Sequence, residues 1–278
     1  MSPGGRAAGM ARLRGVVARI EARSGPAQAR AAQRLALTGA LDRALGGGLA
    51  GDGLHEIAPA GPGDGAAAIG FALALAARFM AKRGGAGVFL AEDFAFGEMG
   101  ALYGPGLVAH GLTLSRLVFV RAPAAPALFQ AMEEAARSGA LAVVVGEAWN
   151  LRGYDLAASR RLLLAARVGA TPALLVAASA YGAADRFSSA AETRFEVAAA
   201  PSASLPAAGD GRPLPGAPAF AVRLVKARLA GGQGPPGLDA AKIFPLTWRS
   251  NEQRFDDPAV SLPLVAAPGD RPRAQAAW

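Results

Sequence analysis

The residues with the most chemical content lie in one short strand–loop–helix stretch, His55 to Ala67, which reads HEIAPAGPGDGAA. A loop that binds nucleotide phosphates at such a junction follows the pattern G-x-x-x-x-G-K-[ST]. Its backbone N–H groups cradle the phosphates, its lysine neutralises them and its hydroxyl holds magnesium. The stretch has the length and the glycines, Gly61, Gly63 and Gly65, after Ala60. With Gly65 as the last glycine, Ala66 stands in the lysine's place and Ala67 in the hydroxyl's. The first lysine in the chain is Lys82, so no other alignment restores the motif. Asp64 sets a negative charge where an anion would sit.

A second loss matches the first. In phosphate-binding folds a later strand ends in an aspartate that helps hold the magnesium. Here the apolar run Leu141–Val145 leads into Gly146 and Glu147. Two coincident losses at matched positions point to a nucleotide-binding unit without its chemistry, rather than to an ordinary strand–turn–helix.

The elements that would position these residues follow from hydrophobic patterning. Leu54–Ala58, Val88–Ala91, Leu117–Arg121, Leu141–Val145 and Ala173–Ala178 are short, near-continuous apolar runs. Such strands are covered on both faces, which predicts a parallel α/β sheet. Helices are expected over Ala66–Met80, at the start of Gly97–Ala109, from Pro126 to Gly139, and from a cap at Asp155 to Val168. Further on, Thr193–Ala198 and Phe220–Leu229 alternate polar and apolar residues, as half-exposed antiparallel strands do. Ile243–Trp248 is a last strand candidate. The expected division is an arm over residues 1–36, a core over 37–249 with a Pro/Ala/Gly-rich loop at 201–218, and a polar, Pro-rich tail over 250–278.

Composition removes several classes of function. Cysteine is absent, which excludes disulfide scaffolds, thiol catalysis and thiolate metal sites. Only His55 and His110 are histidines, so no His-rich metal site is expected. The longest runs without a charge, Met99–Ser115 and Val168–Ala184, carry Pro and Gly and do not read as membrane spans. The N-terminus shows no apolar signal core, so a soluble, cytoplasmic protein without membrane contact is expected. The net charge of +8 sits mostly in residues 1–36, where seven arginines face one glutamate. There Leu13, Val16, Val17 and Ile20 form one apolar stripe of a short helix, with Arg on its other faces. That helix packs on its own core or docks on a partner. Its basicity is either a nucleic-acid signal or the mark of an Arg-rich proteome, because 26 of the 29 basic residues are Arg.

Several stretches carry a family resemblance. Leu37–Leu49 (LTGALDRALGGGL) with Gly53–Ile57 resembles the lead into the phosphate loop of RecA-type recombinases. Arg137–Val145 and Val222–Arg228 resemble the run into their magnesium strand and a late core strand. More closely, Leu102–Leu107, Ala131–Ala135, Ala157–Leu162, Thr193–Phe195 and Ala200–Ser202 are similar in order and spacing to the inducible-mutagenesis protein A (ImuA) family. The resemblance implies a RecA-like, mostly parallel sheet flanked by helices, with antiparallel strands added late and a helical arm in front.

It also implies a role in the DNA-damage (SOS) response and translesion synthesis. The implied partners are an ImuB-like Y-family polymerase homologue, RecA recombinase and, through the complex, an error-prone DNA polymerase III alpha subunit. By analogy with RecA filaments, Lys226 and Arg228 would reach a partner's ATP site; two basic residues on one strand face are the plain alternative. The loops matching the DNA loops of RecA hold Arg152 and Tyr154, then Arg186 and Phe187. Arg beside an aromatic suits single-stranded DNA, and packing of the rings on the core is the alternative. Asp93 falls near the place of a catalytic glutamate. The expected function is therefore a non-catalytic accessory of damage-induced mutagenesis that needs no cofactor or metal. A single-stranded DNA-binding module and an atypical ATPase are the competing readings.

Overall fold

The computed structural model describes residues 34–182, 187–203, 214–228 and 238–257. The arm helix with Leu13, Val16, Val17 and Ile20 lies outside the described residues, as do Arg186 and most of the 201–218 loop.

Nine strands form one sheet in the order β3-β2-β4-β5-β1-β6-β7-β8-β9. In chain order they are β1 (Leu54–Pro59), β2 (Ala86–Glu92), β3 (Leu117–Ala122), β4 (Leu141–Ala148) and β5 (Ala173–Ala177), then β6 (Thr193–Ala199), β7 (Ala219–Ala227), β8 (Ile243–Arg249) and β9 (Arg254–Asp256). Strands β1 to β6 pair in parallel, while β7, β8 and β9 join antiparallel. This is the mostly parallel α/β sheet expected, with antiparallel strands late, except that β6, expected to be antiparallel and half-exposed, is mostly buried and pairs in parallel with β1, turning antiparallel only towards β7. The apolar runs of β1, β2, β4 and β5 are buried throughout, because helices cover both faces.

On one face lie α1 (Gly39–Ala44) and α2 (Gly65–Arg83); on the other lie α5 (Ala125–Arg137) and α6 (Leu156–Val168). Helix α2 is apolar around most of its surface. By length and composition it could cross a membrane, yet it lies largely inside the protein, with Phe71, Ala72 and Leu75 wholly buried. Gly84, at φ +69°, ends it in the left-handed conformation that side chains resist. Asp155 caps α6 by accepting from the Ala158 N–H at 2.7 Å.

Four further expectations change. The helical signal at 97–109 resolves into two short helices, α3 (Asp93–Met99) and α4 (Gly104–Ala109), because Gly100 takes a positive φ between them. Strand β3 is a sheet edge rather than a core strand, and Phe119 is 45% exposed. Residues 34–36 do not belong to a detached arm, since buried Leu35 bridges to Leu49. The expected tail begins with structure: β9 places Phe255 against Phe71 and Trp248, at ring-centroid distances of 5.5 and 4.9 Å. An aromatic every few residues in a polar stretch is a weak sequence signal, and only the waiting cluster on α2, β6 and β7 makes it fold.

Candidate functional site

The loop between β1 and α2 is closed by its own aspartate. Asp64 Oδ2 accepts from the Gly61 N–H at 3.0 Å, and Oδ1 accepts from the Ala199 N–H at 2.9 Å on β6. The Ala60 N–H is taken by the Val197 carbonyl at 2.9 Å. A phosphate cradle needs successive N–H groups turned into one concavity by alternating right- and left-handed residues. Gly61, Gly63 and Gly65 all avoid the left-handed region, and a Cβ at Gly63 would meet open space. The loop therefore keeps the glycines without the conformation that makes them useful. Ala66 is exposed and Ala67 half-buried at the start of α2, where neither offers a charge or a hydroxyl.

The carboxylates near this loop come from adjacent strands. Ala91 and Glu147 are register partners of β2 and β4, so Glu92 and Glu147 end up as neighbours, both buried. Glu92 Oε1 accepts from the N–H groups of Trp149 and Asn150, at 2.8 and 3.0 Å. Glu147 Oε1 accepts from Trp149 Nε1 at 2.7 Å. Burial raises the Glu147 pKa first; the Trp149 hydrogen bond opposes the rise and the charge of Glu92 adds to it. Gly146 faces the other way, and a Cβ there would run into Met132 Sδ on α5. Its absence of a side chain answers to packing. Asp93, the expected acidic position, is instead an exposed partner of Arg121 at 2.9 Å. Sequence reasoning passed over Glu92, although VFLAE already placed a carboxylate at the strand's end.

Beside Glu147 a cavity of about 430 Å³ opens between α2 and the loop after α3. Ile69, Leu73, Phe89, Phe96 and Phe119 line it, and among the described residues Glu147 is its sole ionisable side chain apart from the Tyr103 phenol. Exposed Met99, Tyr103 and Phe119 form its rim beside the outer edge of β3, which pairs with no further strand among the described residues.

The loop residues expected to meet DNA divide. Arg152 is exposed, its N–H held by Asn150 Oδ1 at 2.8 Å. Tyr154 is turned inward and does not offer a stacking face: its hydroxyl donates to Glu56 Oε1 at 2.5 Å, and its ring packs on Phe129. Phe187 lies under the Arg194 guanidinium at 3.7 Å from its ring centre. The physical reason is Glu56, a wholly buried carboxylate on β1 that demands partners. Arg194 supplies one at 2.6 Å and Tyr154 the other. Lys226 bends into the same region, donating to the Ser189 carbonyl at 2.7 Å. Phe187, Ser188, Ser189, Lys226 and Arg228 share the wall of a second cavity, of about 420 Å³. The structure thus joins the late-strand cations to Phe187, which sequence reasoning had treated as separate sites.

Both histidines have structural roles. His55 sits between the Thr193 hydroxyl and the Ala50 carbonyl, at 2.8 and 2.9 Å, and His110 reaches the Gly70 carbonyl at 2.8 Å. Among the described residues no group of three acidic or histidine side chains could hold a metal.

Fold and site together define an α/β protein with a RecA-like, mostly parallel sheet, whose β1–α2 loop is braced by its own carboxylate. No family model matches the chain. It is similar to Protein ImuA of Caulobacter vibrioides, in strains NA1000 / CB15N and ATCC 19089 / CIP 103742 / CB 15, at 36% identity over 122 residues. Over that stretch the chain is related to the ImuA proteins, the family its motifs resemble. The match takes in 43% of this chain and 46% of each relative, just under half the length of the curated relatives.

Proposed function

We propose that this protein is a non-catalytic accessory of damage-induced mutagenesis, acting in the cytoplasm through protein contacts. The observation that carries the reading is Asp64: its carboxylate sits in the loop, accepts from the Gly61 N–H and ties the loop to the Ala199 N–H of β6, and alanines replace the lysine and the hydroxyl. A bound triphosphate would meet like charge in that loop and no cation. The exposed apolar rim formed by Met99, Tyr103 and Phe119 is the kind of surface that a contact-making protein carries. Relatedness to ImuA supports an ImuB-like polymerase homologue and RecA recombinase as partners, with an error-prone polymerase III alpha subunit joined through the complex.

The test combines two measurements on the full chain. ATP turnover is expected at background, and co-elution with the host's RecA-type recombinase or ImuB-like protein is expected on a sizing column. Hydrolysis above background that is lost in Glu92→Gln overturns the reading in favour of an atypical ATPase. Absence of both complexes at tens of micromolar removes the accessory role. Direct binding of single-stranded DNA is the second reading, favoured by the exposed Arg152 and by the basic second cavity. Steep loss of DNA binding with salt is its signature, because each phosphate contact releases counterions.

A further inference from the structure

The apolar cavity beside Glu147 ends on a half-satisfied carboxylate, and the accessory reading uses only its rim. We propose that the cavity is a binding site for a small amphiphilic amine, whose apolar body fills the space and whose ammonium group pairs with Glu147. The proposal rests on this cavity's own chemistry and stands whether or not the accessory reading does.

Regular elements build the walls. Ala66, Ile69, Gly70 and Leu73 recur at i, i+3, i+4 and i+7 and so share one face of α2. Phe89 and Ala91 lie two residues apart on β2 and point to one side of the sheet. Glu147 is the register partner of Ala91 on β4, so its side chain stands beside the Ala91 methyl group. The small side chains of Ala66, Ala91 and Ala95 leave space that larger residues would fill. The volume of about 430 Å³ falls within the roughly 300–1,000 Å³ common for small-molecule sites, which are mostly apolar with a few polar groups.

Glu147 is only 4% exposed and lines the cavity, so what little of it is open faces that space. Oε1 holds the Trp149 indole N–H, and the carboxylate makes no other hydrogen bond and no ion pair among the described residues. Its second oxygen is a buried acceptor that still needs a donor. The lining side chains are apolar apart from the Tyr103 phenol on the exposed rim, so the donor comes with the occupant. Glu92 fixes the charge of that donor. It is buried beside Glu147, bonded to two backbone N–H groups, and it too forms no ion pair among the described residues. Two neighbouring carboxylates favour a cation over a neutral donor and repel an anion. The strain shows in Glu147, whose pKa burial raises and Glu92 raises further; an ammonium group would oppose both effects. Arg121 does not supply the charge. It lies over the Phe96 ring at 4.5 Å, but it is paired with Asp93 and does not line the cavity. Aliphatic and aromatic walls then select a hydrocarbon body behind the ammonium group.

The experiment titrates the full chain with three probes that share one body and differ in head group: phenylbutylamine, phenylbutanol and phenylbutyrate. The readout is the Trp149 indole N–H signal in nuclear magnetic resonance, assigned with Trp149→Phe, because that group is bonded to Glu147. The amine is expected to shift the signal with a Kd of about 1 mM or tighter. The alcohol should bind about tenfold more weakly, since it offers a neutral donor, and the carboxylate should leave the signal still. Glu147→Gln should weaken the amine about tenfold or more while changing the alcohol by less than about twofold. Phe119→Ala, which removes an exposed part of the wall, should weaken amine and alcohol together. Glu134→Gln, at an exposed carboxylate on α5, should change nothing. Urea midpoints establish that each variant folds, and the head-group series on the unchanged chain keeps the test decisive if Glu147→Gln does not. No response to the amine at about 10 mM overturns the proposal. So does equal binding of amine and alcohol, binding of the carboxylate, or an amine affinity that Glu147→Gln leaves intact.

Discussion

Two cavities of nearly equal volume, about 430 and 420 Å³, lie on opposite faces of one sheet and share almost no chemistry. The first adjoins the place where a phosphate loop belongs. Its walls are aliphatic and aromatic, and the nearby carboxylates Glu92 and Glu147 are locked to Trp149 and Asn150. The second lies where the late-strand resemblance places Lys226 and Arg228, and it gathers them with Arg194 and two serines. In this protein the loop between β1 and α2 carries no cation, and the cations stand elsewhere. The difference teaches that a glycine-rich loop and a gathering of cations are separate properties, decided by side chains rather than by the backbone that carries them.

The strongest way to break the comparison is to remove the support beneath the basic cavity. Arg194→Ala leaves Glu56 buried with Tyr154 as its remaining named partner, and should cost roughly 3–5 kcal/mol in urea unfolding. Replacing both charges together, Glu56→Leu with Arg194→Met, should recover much of that loss. If Arg194→Ala costs little, Arg194 is not the structural member of the cluster.

A smaller effect is expected at the closed loop. Asp64→Ala orphans the Gly61 and Ala199 N–H groups and should cost about 1 kcal/mol. It should not yield ATP binding, since Ala66 and Ala67 remain. Nucleotide binding gained by this single change would mean that the aspartate alone keeps the loop empty.

The smallest effects concern pH. Burial lowers the pKa of both His55 and His110 below their ordinary 6.5, so the unfolded chain takes up these protons first. Their contribution is complete above pH 6.5 and is lost as pH falls below it. Glu147 acts with the opposite sign. Its raised pKa gives stability below the ordinary value of 4.5 that is lost as pH rises through the folded value. Glu147→Gln keeps an acceptor for Trp149 Nε1 and should raise the melting temperature near neutrality, by a few degrees at most. A lowered melting temperature would show that the charged carboxylate is the stabilising form, and that the apolar cavity tolerates charge after all.

Much of the molecule was legible as a pattern. Apolar runs too continuous for a half-exposed sheet marked β1, β2, β4 and β5, and alternation marked β7. The missing lysine and hydroxyl at Ala66 and Ala67 were plain. Sheet order was not legible: β3 reads like its neighbours, and only its place at the edge exposes Phe119. Between DNA contact and core packing, Tyr154 takes the second, and its loop position does not show why: its partner Glu56 lies 98 residues away in sequence. Glu56 itself sits in an apolar strand, where a lone charge signals a buried partner without saying which.

The sequence by itself determined the α/β class and the absence of a lysine and a hydroxyl at Ala66 and Ala67, because hydrophobic period and side-chain type are local properties. Tertiary structure decided that Asp64 closes that loop onto Ala199, that Glu92 joins Glu147, and that Phe187, Lys226 and Arg228 share one cavity. Each of these depends on strand order and register, and both are fixed by long-range pairing, which a linear pattern does not encode.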